Sequence, residues 1–133
     1  MRTFEFKKSY EEIKINDEVY KLSYNDENLL KYQKAFRQFQ LDAADMQSKI
    51  DQIKTADQET EYYEQTKEMV KKTIDLMLGE GSFDKIYEQS DRSIFNMVDL
   101  LVYLGEIVEE RVKTEKEERL SKYVKKASKK NSR

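Results

Sequence analysis

Cysteine, histidine, proline and tryptophan are all missing from these 133 residues, and glycine occurs only three times. Without cysteine there is no disulfide, no thiolate nucleophile and no cysteine-based zinc site. Without histidine the chain lacks the commonest general base and transition-metal ligand, the side chain that titrates nearest neutral pH. Carboxylates alone still hold Mg²⁺ or cleave glycosides, but such sites need acids converging in a cleft, and here the acids are scattered along helix faces. The pattern predicts no enzyme activity, no cofactor and no metal. Long apolar runs are missing too: nothing approaches the ~20 residues of a membrane-spanning helix. The start, Met1-Arg2-Thr3-Phe4-Glu5-Phe6-Lys7, has no apolar segment behind its charge to act as a signal peptide. A cytoplasmic protein is expected.

What is present is charge, at 39 % of the residues, against 38 % hydrophobic, for a net charge of −2. The distribution is uneven. From Arg119 to Arg133 there are seven basic residues and no acidic one, which leaves 18 basic against 27 acidic residues in the rest. An acidic body with a basic end predicts a tail that touches something acidic or stays solvated. The domain expectation is one unit over 1–118, made of a hairpin region at 1–24 and helices at 26–118, with 119–133 as a frayed or disordered basic tail.

The fold expectation is mainly α with a small N-terminal β-hairpin, its long helices packed as a helical bundle. Alternation over Ile13-Lys14-Ile15 and Val19-Tyr20-Lys21-Leu22 brackets the turn-forming pair Asn16-Asp17, which reads as an antiparallel hairpin. A lone hairpin is marginal in water, so it must pack on helices or pair with another strand, for which Thr3 to Lys7 is a candidate. Asn25 or Asp26 then caps a long helix whose apolar residues fall at Leu29, Tyr32, Phe36, Phe39, Ala43, Met46, Ile50 and Ile53. Steps of three and four make this a helical seam, either facing a core or meeting another chain.

A second helix runs from about Asp57 to Leu78, with Tyr63, Val70, Ile74 and Met77 on one face, and Gly79 stops it. Ser82 is placed to cap a short helix from Phe83 to Gln89, and the Ser90-Asp91-Arg92-Ser93 stretch to cap the last one. That last helix carries Ile94, Met97, Val98, Leu101, Leu104, Ile107, Val108 and Val112, with Phe95, Leu100, Val102 and Tyr103 widening its apolar surface. A helix apolar on more than one side is either central to the fold or a docking face.

Gly79-Glu80-Gly81 is no phosphate loop, because it lacks both a following Lys-Ser or Lys-Thr and a preceding strand. Lys125-Lys126 and Lys129-Lys130, near Tyr123, suit contact with nucleic-acid phosphate, though a solvated tail is the simpler reading, and nothing resembles a groove-reading helix-turn-helix. Large apolar residues are too few there for a membrane-surface helix.

The segment Leu76-Met77-Leu78-Gly79-Glu80-Gly81-Ser82-Phe83-Asp84-Lys85-Ile86-Tyr87, followed by the apolar helix Ile94 to Val108, resembles the tail assembly chaperones of long-tailed bacteriophages and prophages of Gram-positive bacteria. The opening Val19-Tyr20-Lys21-Leu22-Ser23-Tyr24-Asn25-Asp26 is similar to the short strand that begins such proteins. The resemblance implies a protein of the host-cell cytoplasm that binds the tape measure protein and keeps it soluble during tail tube assembly, with the tail tube protein as a further partner. On the last helix it implies partner-binding roles for Ile94, Met97, Val98, Leu101, Leu104 and Val108, with Phe83 and Tyr87 at the edge. It further implies a longer product made by ribosomal frameshifting, for which Lys129-Lys130-Asn131 is encodable by a slippery A-rich run. Two other classes stay open: a nucleic-acid-associated or regulatory protein acting through the basic tail, and a self-assembling homo-oligomeric adaptor built on the Leu29 to Ile53 seam.

Overall fold

A computed structural model describes residues 1–131, with side chains through residue 124. Strands β1 (Tyr10–Ile15) and β2 (Glu18–Ser23) pair antiparallel, with Ile13 opposite Tyr20 and Ile15 opposite Glu18. The turn is the pair Asn16-Asp17, and Asn16 takes the left-handed conformation at φ 53°, which asparagine tolerates better than most residues. Side chains alternate across the ribbon. Ile13, Leu22 and Tyr24 are buried with Ile15 and Tyr20 half-buried, while Val19 points to solvent. The hairpin is stabilised by packing β2 on a helix rather than by a third strand. Residues 3–7, a candidate third strand in the sequence, lie outside regular structure with Phe4 and Phe6 exposed, although the Tyr24 amide donates to the Ser9 carbonyl at 2.6 Å and extends the ladder one step.

Helix α1 (Asp26–Ser48) starts at Asn25, whose side chain accepts from the Asn28 amide at 2.9 Å, with Asp26 and Glu27 in the first turn where the exposed N–H groups favour negative charge. It ends sooner than the seam suggested. Ser48 Oγ donates back to the Asp45 carbonyl at 2.6 Å, a short 3₁₀ turn follows at Ile50–Gln52, and Ile50 is exposed. The next helix nucleates firmly just beyond. In α2 (Ala56–Leu78), Thr55 Oγ1 accepts from the Gln58 amide while Gln58 Oε1 accepts from the Thr55 amide, a reciprocal capping box.

The connection over 49–55 spans at most ~25 Å fully extended. A 23-residue helix is ~34 Å long, so α2 must return antiparallel along α1. Gly79 at φ 111° and Gly81 at φ 86° close α2 and turn the chain into α3 (Ser82–Gln89). Ser82 does not cap α3. It is the first helical residue and donates to the Leu78 carbonyl at 3.0 Å, whereas the Phe83 amide is satisfied by Asp75 Oδ1 of α2 at 2.8 Å. A side chain from the packed neighbouring helix supplies what local sequence assigned to serine.

Helix α4 (Ile94–Asn131) opens with Ser93 Oγ accepting from the Asn96 amide at 3.3 Å. The basic segment from Arg119 continues the helix through Asn131 rather than fraying. No glycine follows Gly105, no proline interrupts, and Glu115 pairs with both Arg111 (3.0 Å) and Arg119 (2.7 Å), one turn to either side. The side chains of the lysine pairs at 125–126 and 129–130 lie outside the described residues, and with them the proposed phosphate contacts. The chain divides into two compact units inside this helix, Met1–Leu101 and a second beginning at Val102. The core of the first unit is formed by Leu22, Tyr32, Val70, Ile74, Phe83, Ile86, Met97 and Leu101, all nearly inaccessible.

Candidate protein-binding surface

Of the eight residues assigned to partner binding, Phe83, Ile94, Met97, Leu101, Leu104 and Val108 are buried, and Tyr87 and Val98 are half-buried. The exposed large apolar side chains of α4 are Phe95 in the first unit and, in the second, Val102, Tyr103, Leu120, Tyr123 and Val124. The sequence showed apolar residues on both sides of this helix but not which side was covered.

Tyr87 sits in a cluster of its own. Phe83 stacks on it at 5.4 Å between ring centroids, Lys67 lies 4.5 Å from its centroid and Arg92 5.3 Å, and Arg92 also pairs with Glu88. Tyr87, Lys67 and Arg92 line a cleft of about 240 Å³ with Tyr63 and Phe95, whose rings meet edge-on at 6.0 Å. The cleft's cations are already engaged by its own aromatic faces.

The hairpin is tied to α3 by Lys85 Nζ, 2.6 Å from Glu18 Oε2, with the Tyr20 hydroxyl donating to the same oxygen at 3.3 Å. The lysine's hydrogen bond holds the Glu18 carboxyl below its ordinary range, and the same contact raises Lys85. Burial, then the negative charge of Glu18, push the Tyr20 phenol up. Burial also raises the Tyr32 phenol, opposed by a backbone hydrogen bond from Ser23. Both partners in the Glu18–Lys85 bridge are substantially exposed, so it orients the hairpin more than it stabilises the fold.

A second apolar feature of the first unit runs along the α1–α2 pair. Here a groove of about 860 Å³ is floored by Ala35, Phe39, Met46, Met69 and Leu76. Its walls repeat one spacing on both helices, 35-39-42-46 on α1 and 65-69-72-76 on α2, the four-three-four pattern of a helix-packing seam. Leu76 is 43 % exposed at this groove. Lys31 and Lys34 rim one end along α1 and Asp42 and Asp45 the other, with Lys72 and Glu68 one turn apart on α2.

Among the described residues no group of three or more acidic side chains is placed to hold a metal ion, and no helix is long and apolar enough to cross a membrane. The sequence profile of a protein family described as "Family of unknown function (DUF6673)" matches residues 16–133. No curated protein and no solved structure matches the chain.

Proposed function

The chain belongs to this family, and from its own surface we propose that it is a helix-binding protein that acts as a phage tail assembly chaperone, holding apolar helical segments of the tape measure protein until tail tube subunits replace it. The observation that carries this reading is the α1–α2 groove, a preformed apolar channel between two antiparallel helices with a charged rim. An amphipathic helix laid into such a channel buries side chains at i, i+3, i+4 and i+7, each contributing roughly 1.5–3 kcal/mol when fully covered. Client surface that would otherwise aggregate is then shielded while the charged rim keeps the complex in water. The resemblance to tail assembly chaperones supplies the client, and Leu76, the first residue of the segment that carries the resemblance, opens onto the groove. The missing histidine and cysteine agree with a binding role and not a catalytic one.

Co-expression with a phage tape measure protein, the client that the resemblance implies, tests the proposal. The wild-type chain is expected to keep that protein in the soluble fraction, and Leu76→Glu to return it to the pellet. Because Leu76 is part-exposed, the variant should retain its helical circular dichroism. A folded Leu76→Glu chain that still solubilises the client would remove the groove from the reading.

A further inference from the structure

The rim of the α1–α2 groove is polarised along α1. Lys31 and Lys34 stand early on α1 and Asp42 and Asp45 further along it, while the antiparallel α2 contributes Lys72 and Glu68. Three positive and three negative side chains therefore flank one apolar floor, neutral in sum; on α1 the signs separate along the helix, Lys31 and Lys34 toward one end and Asp42 and Asp45 toward the other, while Glu68 stands one turn from Lys72 beside the middle. Asp45 already pairs with Lys49 at 3.1 Å, an exposed i,i+4 contact of little energy. Among the described residues, Lys31, Lys34, Lys72, Asp42 and Glu68 form no ion pair.

A surface with this arrangement is complementary to itself. Rotating a second copy by a two-fold axis through the middle of the groove, near Phe39 and Met69, sets the basic end of each copy against the acidic end of the other. The two floors then face one another, and the four helices have the seam spacing of an antiparallel four-helix bundle. A partner carrying charge of one sign would be attracted at one end and repelled at the other. We infer that the occupant of the groove in the free protein is a second copy of this chain, in an isologous dimer closed by α1 and α2.

The dimer stands on the charges and floor of the groove and does not require the chaperone reading. If the groove also receives a tape measure helix, the second copy and the client exclude one another, and the dimer is a closed form that the client must open.

Sedimentation equilibrium of the full chain from low micromolar to ~0.1 mM is the first measurement, with a mass near twice 16.0 kDa expected. Two charge-reversed chains are the second: Lys34→Glu with Lys72→Glu, and Asp42→Lys with Asp45→Lys. Each alone should dimerise at least tenfold more weakly than wild type, since like charges now meet at both ends. Mixed one to one they should restore a dimer containing one copy of each, because the reversed ends match. A monomeric wild-type chain across the series, an undiminished dimer in either reversed chain, or a mixture that stays monomeric would each overturn the inference. The outcomes separate from those of the chaperone test. A monomer that keeps the tape measure protein soluble removes only the dimer, and a dimer that fails to do so removes only the chaperone.

Discussion

Asp75 and Ser82 make competing claims on the start of α3, and replacing each by alanine separates them. The Asp75 carboxylate accepts from the Phe83 amide at 2.8 Å across the turn, at a helix N-terminus where negative charge is favourable. Losing a charged acceptor of this kind costs about 1–2 kcal/mol, the upper part of the range for capping side chains, and leaves the Phe83 amide unpaired above a buried ring. Ser82 Oγ donates to the Leu78 carbonyl at 3.0 Å, a neutral bond contributing about 0.5–1.5 kcal/mol. Alanine at this first helical position regains up to ~0.5 kcal/mol of helix propensity, so the net loss should be at most about 1 kcal/mol. At roughly 3–5 °C per kcal/mol for a chain of this size, Asp75→Ala should lower the melting temperature by about 3–10 °C, and Ser82→Ala by less. Thermal denaturation followed by circular dichroism at matched pH and salt measures both. If Ser82→Ala is the more damaging of the two, serine is the cap and the contact from α2 is incidental.

Leu101 is fully inaccessible, so Leu101→Ala should cost about 2–5 kcal/mol in urea denaturation, whereas Leu41→Ala, at an exposed position of α1, should stay within about 0.5 kcal/mol. Equal effects would contradict the placement of the core. The Glu18–Lys85 bridge has a signed pH dependence. Because Glu18 is lowered, its contribution is complete above the ordinary carboxyl value of 4.5 and fades as pH falls through the lowered one. Because Lys85 is raised, its share is complete below 10.5 and fades as pH rises through the raised value. Lys85→Gln should therefore move the Glu18 carboxyl titration upward, back toward 4.5, in a carbon-detected NMR series, and an unmoved midpoint would show that the bridge does not form in solution.

The legible parts of the sequence were those decided by local chemistry. The Asn16-Asp17 turn, the Asn25 cap, the glycine stop at Gly79 and the Ser93 start of α4 each depend on residues within a few positions of one another, and each is found where its spacing put it. What failed depended on contacts distant in sequence. The cap of α3 comes from Asp75 on another helix, and the hairpin is covered by packing β2 on α2, with Thr3 to Lys7 pairing with neither strand. The extent of α4 is hard to read for a different reason: apolar content thins beyond Arg111, yet charged residues are good helix formers and Glu115 bridges two arginines. The groove was half visible. The Leu29 to Ile53 seam includes Phe39 and Met46, but the matching four-three-four register on α2 passes through Gln65 and Lys72 and so does not register as apolar periodicity.

The position of those polar residues explains why the groove is open at all. A seam that is apolar at every step would be covered within the fold, as Tyr32, Val70 and Ile74 are on the adjoining faces of the same helices. Placing Asp42 and Lys72 at the third step of each repeat makes permanent burial costly unless an opposite charge arrives with the covering surface. The floor between them, with Met46 and Met69 as unbranched, adaptable side chains, still gains free energy when covered. Such a surface favours occupants that bring their own charges, in register, and lets them go when salt or a better-matched helix competes. A second copy meets that requirement by symmetry, and a client helix meets it only where its charges match. The groove can thus remain closed in the free protein and still be opened by the right partner, without any covalent step or bound ion.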